Sequence, residues 1–208
     1  MRVSVRKVAG LAAAVTLLAV VLVGCGEDGN PGNGGGSYTY TGRTVQIGEL
    51  TWMAENLNRE TSGSSCYNSL SSNCTKYGRL YTWEAAKTAC PSGWRLPDTT
   101  DWNKLVTAAG GSSIAGSKLK STSGWSERTD GSSGNGTDDF GFSALPGGAR
   151  VTNENFYYAN AGKYGVWWSA TEDWWSGNVW YRGMGFDYDY VHENDYGKNH
   201  GFSVRCVR

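Results

Sequence analysis

The sequence predicts an α+β domain, and three observations carry that prediction. Two helix patterns fall early, the second half reads as short aromatic strands, and turn-forming residues separate them. The composition agrees, with 30 Gly, 12 Tyr and 10 Trp but only 4 Pro in 208 residues. At 13% aromatic and 39% hydrophobic residues the chain can fill a core, which excludes global disorder. Basic and acidic side chains balance at 19 each, and the pI is near 6.7. No basic field exists to attract nucleic acid.

The elements follow in order. Thr44–Ile47 and Leu50–Met53 alternate in polarity around Gly48-Glu49, which reads as a β-hairpin. Thr82 can cap a helix over Trp83 to Cys90, stopped by Pro91. Asp98 caps a second helix with Asp101 at its third position. Trp102, Leu105, Val106 and Ala109 give it an apolar stripe before Gly110 and Gly111. From Gly111 to Gly141 the chain is rich in Ser, Gly, Thr and Asp and reads as long loops. Five short strands are expected after Ala144: Asn155–Tyr158, Val166–Ser169, Asn178–Met184, Phe186–Val191 and Phe202–Val207.

The N-terminus follows other rules. Arg2, Arg6 and Lys7 precede an almost unbroken apolar run from Val8 to Val23, too short for a membrane span and suited to a secretory signal. The run closes on Leu22-Val23-Gly24-Cys25, a bacterial lipobox pattern in which the Cys25 thiol receives the lipid. Residues 1–24 are therefore expected to be a lipoprotein signal peptide, and Cys25 an acylated N-terminus held in the bilayer. Their removal takes away three bases and no acids, leaving 16 against 19. Residues 25–37, mostly Gly and Asn, can pack against nothing and form a tether of roughly 20 Å. The domain is expected over residues 38–208, on a lipid-anchored protein of the bacterial envelope. Gly26 after the acylated Cys points to the outer membrane, by analogy with sorting rules in other bacteria.

Four cysteines remain, an even number in an exported chain, and they allow three disulfide connectivities. Cys66 and Cys74 flank a Ser/Asn-rich loop and are expected to pair locally, leaving Cys90 and Cys206 to tie a helix to the last strand. Zinc is disfavoured, since no CxxC occurs and His192 and His200 are the sole histidines. Searches for a nucleophile elbow, a zinc-protease helix, a dinucleotide fingerprint and a P-loop find nothing, so no catalytic residue is assigned. Asp187, Asp189, Glu193 and Asp195 cluster in sequence. Their bland reading is the solvated face of a hairpin; their sharper reading is a structural calcium site, the sole cofactor the chain suggests. Asp138 and Asp139 read as a structural loop.

Tryptophan supplies the binding candidates. Trp52, Trp83, Trp94 and Trp102 belong to the hairpin and helices and are expected in the core. Trp167 and Trp168 are neighbours on one strand, so at least one can face outward. Trp174 and Trp175 lie in Glu-Asp-Trp-Trp-Ser-Gly, where joint burial is hard to arrange. A shallow patch of Trp168, Trp174, Trp175 and Tyr181 is expected to stack carbohydrate, with Glu172, Asp173 and Asn178 alongside as hydrogen-bonding groups.

Several blocks resemble a known family. Thr51-Trp52-Met53-Ala54-Glu55-Asn56-Leu57-Asn58, Lys76 through Trp83, Cys90 through Pro97, Asp138 through Gly148, Trp168 through Glu172 and Gly201 through Val207 occur in its order. Together they resemble the Fibrobacter succinogenes major paralogous domain family, whose members are typically exported lipoproteins without an established biochemical role. Gly93-Trp94-Arg95-Leu96-Pro97-Asp98 with Asp101-Trp102, Gly177–Trp180 and Gly201–Arg205 are more distantly similar to formylglycine-generating sulfatase-modifying enzymes. That resemblance implies a C-type-lectin-like fold: two helices, a small twisted antiparallel sheet and long irregular loops. It also implies a bridge from the first helix to the last strand, in keeping with Cys90–Cys206. The activity does not come with it, because the reactive cysteine pair is missing; nor do the lectin motifs for calcium-dependent sugar binding. The expected function is a non-catalytic surface module that binds polysaccharide or another cell-surface or plant-fibre polymer. A structural or protein-adhesion scaffold is the second reading, and an enzyme of unknown type the third.

Overall fold

The computed structural model describes residues 38–152 and 157–208. The expected signal peptide, lipidated Cys25 and tether lie outside the described residues. Among those described, no helix is long and apolar enough to cross a membrane.

The expected hairpin forms first, with β1 (Thr44–Ile47) antiparallel to β2 (Leu50–Met53) and Gly48 at a φ of 61° in the turn. Two short strands follow, β3 (Ser64–Ser65) and β4 (Leu80–Tyr81). Between them runs helix α1 (Ser71–Tyr77), which the sequence reading missed. Its Ser-Ser-Asn-Cys-Thr composition looks like a loop; the Cys66–Cys74 disulfide holds it in place. Helix α2 (Trp83–Ala89) starts at Thr82, whose hydroxyl accepts the Ala85 N–H. Helix α3 (Thr99–Ala108) carries a full capping box: Asp98 accepts the Asp101 N–H at 2.8 Å, and Asp101 accepts the Asp98 N–H at 2.9 Å. The long loop after it contains one short helix, α4 (Ala115–Leu119).

The second half supplies β5 (Ala149–Val151), β6 (Tyr157–Ala159), β7 (Tyr164–Glu172), β8 (Val179–Gly185), β9 (His192–Tyr196) and β10 (Phe202–Ser203). Six strands form the main sheet in the order β3-β4-β10-β7-β8-β9, while β5 and β6 make a separate hairpin. β10 runs parallel to β7, and the other pairings between the described strands are antiparallel. The fold is α+β. Three strand expectations need correction. Asn155–Tyr158 begins in undescribed residues, and the strand found there is Tyr157–Ala159. Phe202–Val207 pairs as a regular strand over only two residues. Phe186–Val191 is no strand, because its backbone is claimed by the loop beneath it: the Ser117 N–H donates to Asp189 and the Val191 N–H to Ser112. Pairing resumes at His192, in a His-Glu-Asn-Asp-Tyr run too polar to read as a strand.

The main sheet is covered on both faces. Trp167 points into a core with Trp52, Trp102 and Phe142, beneath α3 and the first hairpin. Trp168 points the other way, into a core with Tyr81, Trp83, Phe202 and Cys206 beneath α2. Both indoles are fully buried. The Cys90–Cys206 disulfide closes the second core, as expected. Ser37–Arg208 makes one compact unit.

Candidate functional site

The four residues expected in one patch separate into three environments. Trp168 leaves the patch altogether. Its ring lies 4.2 Å from Phe202 and its Nε1 donates to the Tyr81 carbonyl at 2.7 Å. Alternation along β7 sends it away from Trp167, but α2 and the Phe202 side chain cover that face as well, so neither indole is exposed.

Trp174 and Trp175 occupy the tip of the β7–β8 hairpin and are 77% and 79% exposed. Their rings lie 4.1 Å apart at 34°, one leaning on the other, so each keeps an outer face and its edges open to solvent. The turn that displays them is tightly built. Asp173 accepts from the Trp175 N–H at 3.4 Å, from the Ser176 N–H at 3.1 Å and from the Ser176 hydroxyl at 2.6 Å. The Ser176 hydroxyl holds the Asp173 carboxyl below the usual carboxylate range. Gly177 takes a φ of 70°, and Asp195 on β9 accepts from the Asn178 amide at 2.8 Å and from Ser176 at 3.2 Å. Glu172 pairs with Lys198. The three polar neighbours expected to meet sugar hydroxyls are thus engaged in shaping the hairpin. What the tip offers a ligand is aromatic surface.

Tyr181 sits in a third place. It lines an open cavity of about 260 Å³ between the β5–β6 hairpin and the sheet, with Tyr164, His192, Tyr196, Phe202 and Val151. Its ring packs edge-on against Phe202 at 5.1 Å and His192 at 5.6 Å. Burial pushes the Tyr181 phenol up, aided by Tyr196 and Asp195. His192 donates to or accepts from the Tyr188 hydroxyl through Nδ1 at 2.8 Å. Burial, then Arg182, lowers its pKa and keeps the ring neutral at pH 7. Nearby, His200 Nδ1 accepts the Thr152 N–H at 2.9 Å and the ring packs against Tyr196, tilted at 49° with centroids 4.2 Å apart. The sequence reading missed Tyr164, His192, Tyr196 and Phe202. Only the strand register, with Tyr181 opposite Asn194 and Val179 opposite Tyr196, brings them to one face.

The acidic cluster disperses. Asp187 accepts from the Thr129 N–H at 2.8 Å, Asp189 pairs with Arg128, and Glu193 pairs with Arg182. Among the described residues no group of three or more metal-ligating side chains comes together. The calcium reading finds no support in this placement. Asp138 does act as a loop organiser: it accepts the Ser143 N–H at 2.6 Å and the Ser143 hydroxyl at 2.5 Å.

The sequence blocks that suggested a family are mostly core parts, with Gly148 and Phe202 also lining the cavity. Asn56 is the hub. Its Oδ1 accepts from Trp167 Nε1 at 2.8 Å and from Arg205 Nε and Nη2 at 3.2 and 2.8 Å, and its Nδ2 donates to the Tyr77 carbonyl at 2.8 Å. Gly78 is required beside it, since a Cβ there would sit 2.7 Å from that of Asn56. No curated protein and no solved structure matches the chain. The family model for the Fibrobacter succinogenes major domain matches residues 45–208, which spans nearly all of the compact unit and joins the blocks that meet at Asn56; the chain belongs to that family.

Proposed function

We propose that this protein is a non-catalytic, lipid-anchored module of the bacterial envelope, held at the outer membrane through Cys25, that binds polymeric carbohydrate. One observation carries the binding reading: two adjacent indoles stand almost fully exposed on a turn braced by Asp173, Ser176 and Asp195. Exposed Trp costs solubility, and a braced turn keeps the pair from folding back, so a partner surface is the natural use. Flat indole faces suit sugar rings. A tethered domain needs little affinity per copy, because many copies on one surface engage one polymer together.

The fold reading that goes with it is C-type-lectin-like. Its support is the helix-to-C-terminus disulfide, the small sheet and the long loop from Gly110 to Gly148. The non-catalytic reading is supported by the engaged state of the carboxylates and of His192. A protein-adhesion scaffold is the second reading, and the same exposed indoles favour it. The test is retention of residues 38–208 on insoluble polysaccharides and peptidoglycan, with a Trp174→Ala/Trp175→Ala double variant of matching melting temperature. The parent is expected to be retained and the variant to wash through. Equal retention of both, or no retention of the parent on any polymer, overturns the carbohydrate reading. Loss of a protein partner in the variant would favour the scaffold.

A further inference from the structure

We propose that the aromatic cavity between the β5–β6 hairpin and the main sheet is a second binding site, which takes a single uncharged, hydroxylated ring such as a neutral pyranose. It shares a ligand class with the hairpin tip but none of its residues, so either site can fail alone.

Size is the first support. A closed cavity of roughly 150 Å³ admits benzene, and this one offers about 260 Å³ with an open side. One six-membered ring fits, with room for substituents. The walls come next. Tyr164, Tyr181, Tyr196 and Phe202 present aromatic surface from four strands or strand ends, and Val151 and Val166 complete it. Among the described residues none of the lining side chains is charged. An ionic ligand would therefore lose its hydration without gaining a counter-charge, whereas a neutral one would not. An apolar ligand is disfavoured by the polar rim. The Tyr81 and Tyr188 hydroxyls are bonded within the protein. By contrast, no hydrogen bond among the described residues engages the hydroxyls of Tyr164, Tyr181 or Tyr196. The Asn160 amide is likewise available. Mostly apolar walls with a few convergent polar groups are the usual make-up of a small-ligand site.

The cavity is also specifically built. Glycine stands at Gly183, opposite His192 on β9, and a Cβ there would collide with the imidazole. That glycine lets the ring lie across β8, where its Nδ1 is fixed by Tyr188 and its Nε2 is the remaining polar atom. Gly148 serves the opposite wall, where a Cβ would press on the Ala159 carbonyl and on Tyr67. Tyr196, at the cavity rim, pairs with Val179, only three residues from Ser176 in the tip. Asp195, next to Tyr196 in the chain, accepts from Ser176 at 3.2 Å, so the two sites adjoin.

Saturation-transfer NMR on the full chain in a sugar-free detergent tests the assignment, with methyl glucoside, galactoside, mannoside and xyloside as neutral probes. Methyl glucuronide is the charged control and toluene the apolar one. At least one neutral glycoside is expected to receive saturation from the parent and equally from the Trp174→Ala/Trp175→Ala variant. Binding is expected to weaken at least tenfold in Val151→Phe, which fills the cavity, and at least tenfold for the glucuronide. Tyr196→Ala, at the exposed rim, serves if Val151→Phe does not fold. The proposal is overturned if no glycoside receives saturation, or if the folded cavity variant binds like the parent. It is also overturned if toluene binds more tightly than every glycoside. Loss of transfer in the tip variant alone would place sugar at the indoles, supporting the tip and sinking the cavity.

Discussion

Asn56 shows how one residue can hold a core together. It supplies an acceptor for Arg205, a fully buried guanidinium with no bonded carboxylate among the described residues; the cation lies 4.2 Å over the Phe142 ring and also donates to the Phe142 carbonyl. Asn56→Ala would leave Trp167 Nε1 without its partner and Arg205 with only the Phe142 and Ser143 carbonyls, at a cost of about 3 kcal/mol or more. Asn56→Asp keeps the acceptor and adds a counter-charge, losing the amide's bonds to the Tyr77 carbonyl and the Ser203 hydroxyl. Urea melts are expected to rank the variants in that order, with Asp closer to the parent. Lys120 makes a pH prediction. Its Nζ is buried, donates to the Gly185 and Tyr188 carbonyls at 3.1 Å each, and has no bonded carboxylate among the described residues. Burial, reinforced by Arg128, pushes its pKa down from 10.5 to about 8. The folded state thus gives up this proton near pH 8 while the unfolded chain keeps it to about 10.5, so stability rises with pH across that window. Tyrosines act oppositely. Burial pushes Tyr40 up to about 12 and raises Tyr188 too, so their contribution is lost as pH climbs past 10. Denaturation midpoints should therefore increase from pH 7.5 to 9.5 in the parent, and this increase should flatten in Lys120→Met.

At the scale of elements, the hairpin between β7 and β8 is the part whose behaviour the turn chemistry decides. Asp173→Ala removes the acceptor for three bonds while leaving both indoles in place. Amide exchange at residues 174–177 should quicken, global melting should stay where it was, and polymer retention should fall. That separates display of the indoles from their presence. Helix α3 answers a different test, since Asp98→Ala removes a capping box and should cost about 1 kcal/mol. These two elements also mark what was legible in the sequence. Cap, stripe and terminal glycines are local, so α3 and the first hairpin read directly. Helix α1 was hidden because a disulfide and tertiary packing, not propensity, hold Ser71–Tyr77. β9 was hidden because His192–Tyr196 lies at the sheet edge, where polar side chains are tolerated. Of the candidate site, Trp174 and Trp175 were legible because two indoles in a polar turn have nowhere to go. Trp168 was misplaced because period-two alternation tells which face a residue takes, but not whether something covers that face. The cavity was illegible for a related reason: its walls come from strands that only register brings together.

For the molecule as a whole, the two disulfides differ in reach. Cys66–Cys74 closes a separation of 8 residues, and Cys90–Cys206 one of 116. On the chain-entropy model the short bridge contributes about 2.5 kcal/mol and the long one roughly 4–5. A Cys90→Ser/Cys206→Ser variant should accordingly melt well below a Cys66→Ser/Cys74→Ser variant, as calorimetry would show. The long bridge lies within a larger seam. Thr51 and Arg208 exchange two backbone hydrogen bonds, Arg95 and Val207 exchange two more, and the Leu57 N–H donates to Val204. Residues 202–208 thus stitch the opening hairpin, the approach to α3 and the sheet into one body. Such distant pairings make for slow folding. During synthesis the chain emerges from its N-terminal side, so the indoles of Trp52 and Trp102 wait, unsealed, until that closing segment has been made. Until then neither core can be completed, and the apolar faces of both stay open to water.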